Sequence, residues 1–389
     1  MAVSYERRHI IVVIDTARAC YREVIQGISF YGNFKGRWHL QNISPWTDFV
    51  RSLRLCKPAG LLLGPIYDND QLREATQLVP QSVVVCGAGP EQNAQLTEVG
   101  PDEVAVGALG AEHLLSKGFR NYAFVGQPGF AASKGRWQGF RNELEKSRYV
   151  AEYYEIEWNW ALNLPIDVSL QKLTNWLIGL PKPVGILVWN DATARLVSSS
   201  CQDAGIRVPD DIAILGVDND ELDTAISNPP LSSVIMPWRL LGQAASALLD
   251  RIIDGETLTP TYHSMPPLGI AERQSTGSIA IVDEQVRNAV RFIREHAGRQ
   301  FTVNDVVEEV ATTRRALERK FRAVLGRSPL EEIRRCRVDR AMQLLSQTQM
   351  TIKQVAQHSG FSSVTWFTTA FREITGKSPA AYRQNPDVS

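Results

Sequence analysis

Cysteine is scarce and never clustered: Cys20, Cys56, Cys86, Cys201 and Cys336 are widely scattered, with no CxxC and no Cys/His spacing. That argues against a disulfide scaffold or a metal site and for buried or surface thiols in a reducing cytosol. The six histidines are equally unpaired. Met1 to His9 is polar and leads only into the short apolar run Ile10 to Ile14, so neither a signal peptide nor a membrane span is predicted. No phosphate-cradling GxxxxGK occurs, and Gly87-x-Gly89 lacks the third glycine of a dinucleotide fingerprint, while Pro90 opens no convincing helix. No nucleophile or acid–base pair has a recognisable spacing. The expectation is therefore no catalytic residue, no cofactor and no metal.

What is present is a balance that hides an asymmetry. The 389 residues hold 42 Lys and Arg against 42 Asp and Glu. From Ile279 to Ser389, however, 18 basic residues face 12 acidic ones, net +6, and the remainder has 24 against 30, net −6. A basic C-terminal part joined to an acidic remainder suits a nucleic-acid module attached to something that is not one. The length exceeds one ordinary core and predicts two or three domains.

Between Thr302 and Pro379 one pattern occurs twice. Thr302-Val303-x-x-Val306 opens an amphipathic helix and Thr312-Thr313 follows as turn and cap. In the next helix Leu317, Phe321 and Leu325 form the buried stripe, while Arg315, Arg319 and Arg322 share another face. The helix ends at Gly326 before Ser328-Pro329. The second copy runs Thr351-Ile352-x-x-Val355, Gly360-Phe361, Ser362-Ser363, Phe367, Phe371 and Gly376 before Ser378-Pro379. Two helices joined by a short turn, in tandem, have the shape that lays one exposed helix in a DNA major groove. Thr302 to Arg383 resembles the DNA-binding domain of AraC-type transcription regulators, most specifically in Gly360-Phe361 through Phe371-Arg372 to Gly376-x-Ser378-Pro379-x-x-Tyr382-Arg383. The resemblance assigns Arg315, Glu318 and Arg319 to base edges in the first module, where Arg forks onto guanine and Glu accepts from cytosine. It assigns Val364, Thr365 and Thr369 to the matching places in the second, less polar than usual and suited to thymine methyls. Arg322, Arg372 and Lys377 are expected at phosphates, and a helix from Leu330 to Leu345, with Arg337, Ala341 and Leu344, holds the modules together.

From His9 to about Pro267 short apolar runs alternate with amphipathic stretches. Ile10 to Ile14, Leu61 to Leu63, Val83 to Cys86, Ala123 to Val125, Ile186 to Trp189 and Ile212 to Val217 read as buried parallel strands. Helices are predicted near Tyr21 to Tyr31, Glu103 to Lys117, Gln138 to Lys146, Val168 to Leu177, Ala192 to Ala204 and Leu240 to Ile253. Ligands of such sheets bind beyond the carboxyl ends of the strands. Those ends are polar: Asp15-Thr16, Gly126-Gln127, Asn190-Asp191 and Asp218-Asn219-Asp220, with Arg136 and Trp137 adding a donor fork and an aromatic face. Such groups suit the hydroxyls of a neutral sugar, each donor and acceptor at once. Asp at these places also caps helices and turns, and a Trp placed like Trp137 more often packs than stacks.

Arg136-x-x-Gly139-Phe140, Trp189-Asn190-Asp191, Val208-Pro209-x-Asp211-Ile212-Ala213-Ile214-x-Gly216-Val217-Asp218, Pro230-Leu231-Ser232-Ser233-Val234 and Leu241-Gly242 resemble the ligand-binding region of LacI-type repressors, itself similar to periplasmic sugar-binding proteins. The resemblance implies that Asp15, Arg136, Asn190 and Asp218 face an effector between two lobes. It departs from that family in placing the DNA-binding part at the other end. The expected architecture is thus an α/β two-lobed periplasmic-binding-protein-like domain, parallel sheets flanked by helices, plus an all-α C-terminal domain with two helix-turn-helix units. The boundaries are residues 1–274, a linker at 275–283, and 284–389. This combination resembles regulators of xylose operons, which implies D-xylose as effector, operator DNA and RNA polymerase as partners, activation, a homodimer and a cytoplasmic location. A sugar receptor or sugar-converting enzyme with a helical appendage is the rival reading.

Overall fold

The computed structural model describes residues 7–36, 38–65, 68–87, 96–159, 164–165, 167–259, 261–277 and 283–384. The chain divides into two compact units, Met1–Ser278 and Ile279–Ser389. In the first unit, β1 (Arg8–Val13), β2 (Trp38–Ile43), β3 (Gly60–Leu63), β4 (Ser82–Val85) and β5 (Thr97–Pro101) alternate with α1 (Ala19–Lys35), α2 (Phe49–Cys56) and α3 (Asn69–Leu78). The chain then crosses into a second lobe through α4 (Glu103–Ser116), β6 (Asn121–Gly126), α5 (Ala131–Lys146) and β7 (Ala151–Glu155). A two-residue ribbon, β8 (Trp158–Asn159) with β9 (Leu164–Pro165), precedes α6 (Asp167–Gly179), β10 (Val184–Val188), α7 (Asp191–Asp203), β11 (Ile212–Asp218), α8 (Glu221–Ile226) and β12 (Ser232–Ile235). Helix α9 (Trp238–Ile253) and β13 (Tyr262–Met265) return to the first lobe, and β14 (Gly269–Ala271) to the second.

The first sheet has the order β13-β5-β4-β3-β1-β2 and is parallel throughout; the second, β14-β12-β11-β10-β6-β7, is parallel except for its β14 edge. Strand order reverses between β1 and β3 in one lobe and between β6 and β10 in the other, where open α/β sheets leave a crevice at their carboxyl ends. The apolar strands are central because helices cover both faces: Ile10, Leu61, Ile186 and Ile214 are fully buried. The three crossings are laced together, Asp102 N–H donating to Met265 O at 2.7 Å and Leu268 N–H to Ile235 O at 2.8 Å. In the second lobe α4 and α5 touch backbone to backbone: a Cβ on Gly107 would overlap the Arg136 carbonyl, and one on Gly139 the Val104 carbonyl. That contact fixes where Arg136 stands.

The segment expected to begin the linker is instead built into this unit. Gln274–Thr276 forms a 3-10 turn in which Ser275 and Thr276 are fully buried. The hydroxyl of Ser275 accepts from Ser232 N–H at 2.8 Å and donates to Ile214 O at 2.6 Å. Two hydroxyl residues read as a pattern-breaking spacer serve here as buried hydrogen-bonding plugs; residues 278–282 of the expected linker lie outside the described residues.

The second unit is all-α: α10 (Glu284–Glu295), α11 (Val303–Glu309), α12 (Arg314–Leu325), α13 (Pro329–Gln347), α14 (Ile352–His358), α15 (Val364–Thr375) and α16 (Pro379–Gln384). Leu317, Phe321 and Leu325 enter a core with Val286, Val290 and Val306, whereas Phe367 and Phe371 enter another with Val355 and Phe361. Helix α13 gives Ile333 to the first core and Val338, Ala341 and Leu345 to the second. Gly326 and Gly376 close α12 and α15 in the left-handed region, at φ 67° and 73°.

Candidate ligand site and nucleic-acid interface

Arg136 lies near the start of α5 and is 3% exposed. Its Nε donates to Glu103 Oε2 at 2.6 Å, its Nη2 to Glu103 Oε1 at 3.3 Å, and its Nη1 to the Trp189 carbonyl. A buried guanidinium needs such a partner, because desolvating an unmatched charge costs several kcal/mol. Glu103 opens α4 at the first interlobe crossing, and no periodicity signalled its pairing with a residue 33 positions away. Asp218 ends β11 on the same side. Burial is the main reason its carboxyl is pushed up to about 7, and the charge of Arg136 holds it back from rising further. Asp218 and Asn219 both sit at positive φ, 115° and 55°, a strained turn of two non-glycine residues.

Across from this turn stands the first lobe. Burial, with the nearby Asp218 charge second, pushes the Cys20 thiol of α1 up to about 12. Burial, then the Cys20 charge, pushes Cys86, just beyond β4, in the same direction. Asp15, just beyond β1, accepts the Ala17 N–H at 2.9 Å and so shapes the turn into α1. Arg136, Glu103, Asp218 and the α1 entrance thus converge, and Cys20, Cys86 and Glu103 are members that spacing did not reveal.

Two residues expected at the ligand are engaged elsewhere. Asp191 is 1% exposed, and its carboxylate accepts from Ser233 Oγ at 2.7 Å and from Asp220 N–H at 2.8 Å. Burial, then the charge of Asp218, raises its pKa well above the usual range. Its role is to brace the loop after β11, and Gly216 has no side chain because a Cβ there would overlap Asp191 Oδ1. Trp137 points the other way from Arg136 and packs on Tyr153 and Phe124, at centroid distances of 4.8 and 5.5 Å. Asn190 caps α7, its Oδ1 accepting Thr193 N–H at 2.8 Å, and remains partly exposed at the strand end.

In the second unit Arg315, Arg319 and Arg322 are exposed along α12. Glu318 is partly buried and accepts from Arg314 Nε at 3.2 Å. On α15, Val364, Thr365, Thr369 and Arg372 are exposed. The Thr369 hydroxyl donates to the Thr365 carbonyl at 3.1 Å and Thr368 to Val364 O at 2.9 Å, so these side chains satisfy their donors within the helix. Between the modules Arg337 of α13 is 4% exposed; its Nη2 donates to Arg299 O and Phe301 O, each at 3.2 Å, and its guanidinium lies 5.0 Å from the Phe301 ring and 5.8 Å from the Trp366 ring. Gly360 packs into the same seam at φ 72°, where a Cβ would meet Arg299 O and Ala297 O at 2.5 and 2.6 Å.

A two-lobed ligand-binding unit followed by paired helix-turn-helix modules defines a sugar-binding, DNA-binding transcription regulator. Residues 111–276 match the periplasmic binding protein-like domain and residues 306–385 a helix-turn-helix domain. The chain is 28% identical to the xylose operon regulatory protein of Escherichia coli strain K12, over 97% of this chain and 98% of that one. It is 30% identical to the xylose operon regulatory protein of Haemophilus influenzae over 74% of each chain. The solved structure of the xylose-binding transcription activator xylR aligns with a TM-score of 0.77 at 26% identity, covering 97% and 98%. The chain belongs to the family of xylose operon regulatory proteins. It is accordingly a regulator and not an enzyme.

Proposed function

We propose that the chain is a cytoplasmic activator of pentose utilisation that binds D-xylose between its lobes. A homodimer on promoter DNA would then act on RNA polymerase. The observation that carries the ligand class is the charge arrangement at the cleft. Arg136 is already matched by Glu103, and Asp218 stands between the charges of Arg136 and Arg18, so the cations of the cleft already face carboxyl groups and an anionic ligand would gain little from them. A neutral polyol meets acceptors and donors in mixture, as its hydroxyls require. Asp15, Arg136, Asn190 and Asp218 are the sugar contacts in this reading, with Asp191 bracing them. The first unit, with Ser275 and Thr276 built into it, carries the sensor, and residues 284–389 carry the DNA-binding domain, in which Arg315, Glu318 and Arg319 read bases, Val364, Thr365 and Thr369 offer mainly methyl contacts, and Arg322 and Arg372 meet phosphates. The Escherichia coli xylose operon regulatory protein, which aligns over 97% of this chain and 98% of its own, supports the choice of xylose.

Calorimetry of the full chain against pentoses, hexoses and a pentose phosphate tests the ligand. Xylose should bind and Asp218→Ala should abolish binding while operator affinity without sugar is kept. Tighter binding of the phosphate ester would overturn the charge argument. Sugar and operator must influence each other by one reciprocal factor, of about 5 to 150 for coupled sites. A reporter behind the protein's own promoter settles direction: higher expression in a deletion strain would mean repression.

A further inference from the structure

The strained Asp218–Asn219 turn is tied to the end of the sensor by one side chain. Arg273, half-buried just after β14, donates from Nη2 to Asn219 Oδ1 at 2.7 Å and from Nη1 to Leu231 O at 2.9 Å. Its backbone is stitched to β12: the Arg273 N–H donates to Ser232 Oγ at 2.8 Å, and Ser232 Oγ donates to Arg273 O at 3.1 Å. Ser275 and Thr276 follow, Thr276 Oγ1 donating to Ser232 Oγ at 2.7 Å and lying 2.9 Å from His113 Nε2 of α4. With one proton per hydroxyl this chain closes only if His113 carries its proton on Nε2, so Thr276 accepts there. On the other side Asn219 N–H donates to Ser233 Oγ, which donates to Asp191. Arg273 to Thr276 and the turn that carries Asp218 are therefore one hydrogen-bonded network, in which Arg273 holds the side chain of Asn219 and Ser233 its backbone N–H.

We propose that Arg273 is the positioning residue that passes occupancy of the cleft to the DNA-binding unit. The proposal rests on the reading that a sugar contacts Asp218. A ligand on that carboxylate biases a turn whose two left-handed residues hold it away from relaxed backbone. A planar two-pronged guanidinium carries that bias to the Gln274–Thr276 turn more faithfully than a point charge would. The test is full-length protein titrated with operator DNA, with and without D-xylose, as wild type, Arg273→Gln, Asn219→Gly and the double variant. Glycine keeps the positive φ at 219 while removing the acceptor. Coupling predicts that xylose affinity by calorimetry stays within about threefold of wild type while the xylose effect on operator affinity falls to less than about twofold in all three variants, the double no worse than either single. A wild-type response in Asn219→Gly overturns the proposal even if Arg273→Gln fails to fold, and so does a loss of xylose affinity above about tenfold, which would put Arg273 in the ligand site itself. A wild-type protein that binds no pentose would instead remove the ligand reading beneath it.

Discussion

Arg136 and Arg319 carry the same side chain into opposite circumstances. Arg136 is buried, forked onto Glu103 and a backbone carbonyl; Arg319 is exposed on α12 with its charge turned to solvent. The first arrangement neutralises a buried cation inside the fold. The second keeps cations available to a polyanion, whose binding gains from released counterions. The difference teaches that a basic residue's meaning lies in its partner and its burial, which composition does not report.

The contrast breaks hardest at the buried pair. Arg136→Ala leaves Glu103 without its cation and should destabilise the sensor by about 3 to 5 kcal/mol, whereas adding Glu103→Gln should recover a good part of that loss; urea denaturation of the three proteins measures it. Acidity tests the same cleft. Asp218, raised from an ordinary carboxyl value near 4 to about 7, binds a proton more tightly folded than unfolded, so its contribution to stability is full below the unfolded value and is lost as pH rises through about 7. Melting curves from pH 5 to 8 should therefore fall with pH, and Asp218→Asn should flatten the slope; a residue of it remains because Asp191 is shifted in the same direction. At the exposed face the changes are smaller and concern DNA alone. Arg319→Ala should weaken specific operator binding by about 1 to 3 kcal/mol more than random-duplex binding, and Arg372→Ala should weaken both alike and lower the salt slope by about one. Gel shifts at two salt concentrations separate them, and equal losses on random DNA would remove the division between readout and phosphate contact. Smallest is Thr369→Ala, expected within about 0.5 kcal/mol, because its hydroxyl is satisfied inside α15.

The two helix-turn-helix modules show how much of this was legible. Their buried frames follow from the text: Leu317 and Phe321 in one, Phe367 and Phe371 in the other, all fully buried, with left-handed glycines closing both helices. Their turns were less legible. Thr302 and Thr351, which open the two modules, are 49 apart, but the caps Thr313 and Ser363 are 50 apart, so the second turn is one residue longer. Its left-handed residue is Gly360, pressed against a neighbouring loop, where the first module uses Ala311 at φ 47°. In the sensor, central strands were read from their apolar runs, but β2 and β7, edge strands with much of their surface exposed, have no such run to read.

The order of strands and helices, the basic tail and the duplicated DNA-binding motif were fixed by the sequence alone, because helix and strand each impose a short period on the side chains that face a core. Tertiary structure decided the partners: Glu103 for Arg136 across 33 residues, Ser233 for Asp191 across 42, Arg273 for Asn219 across 54. No local period spans such distances; only the packing of sheets and helices brings those atoms within 3 Å.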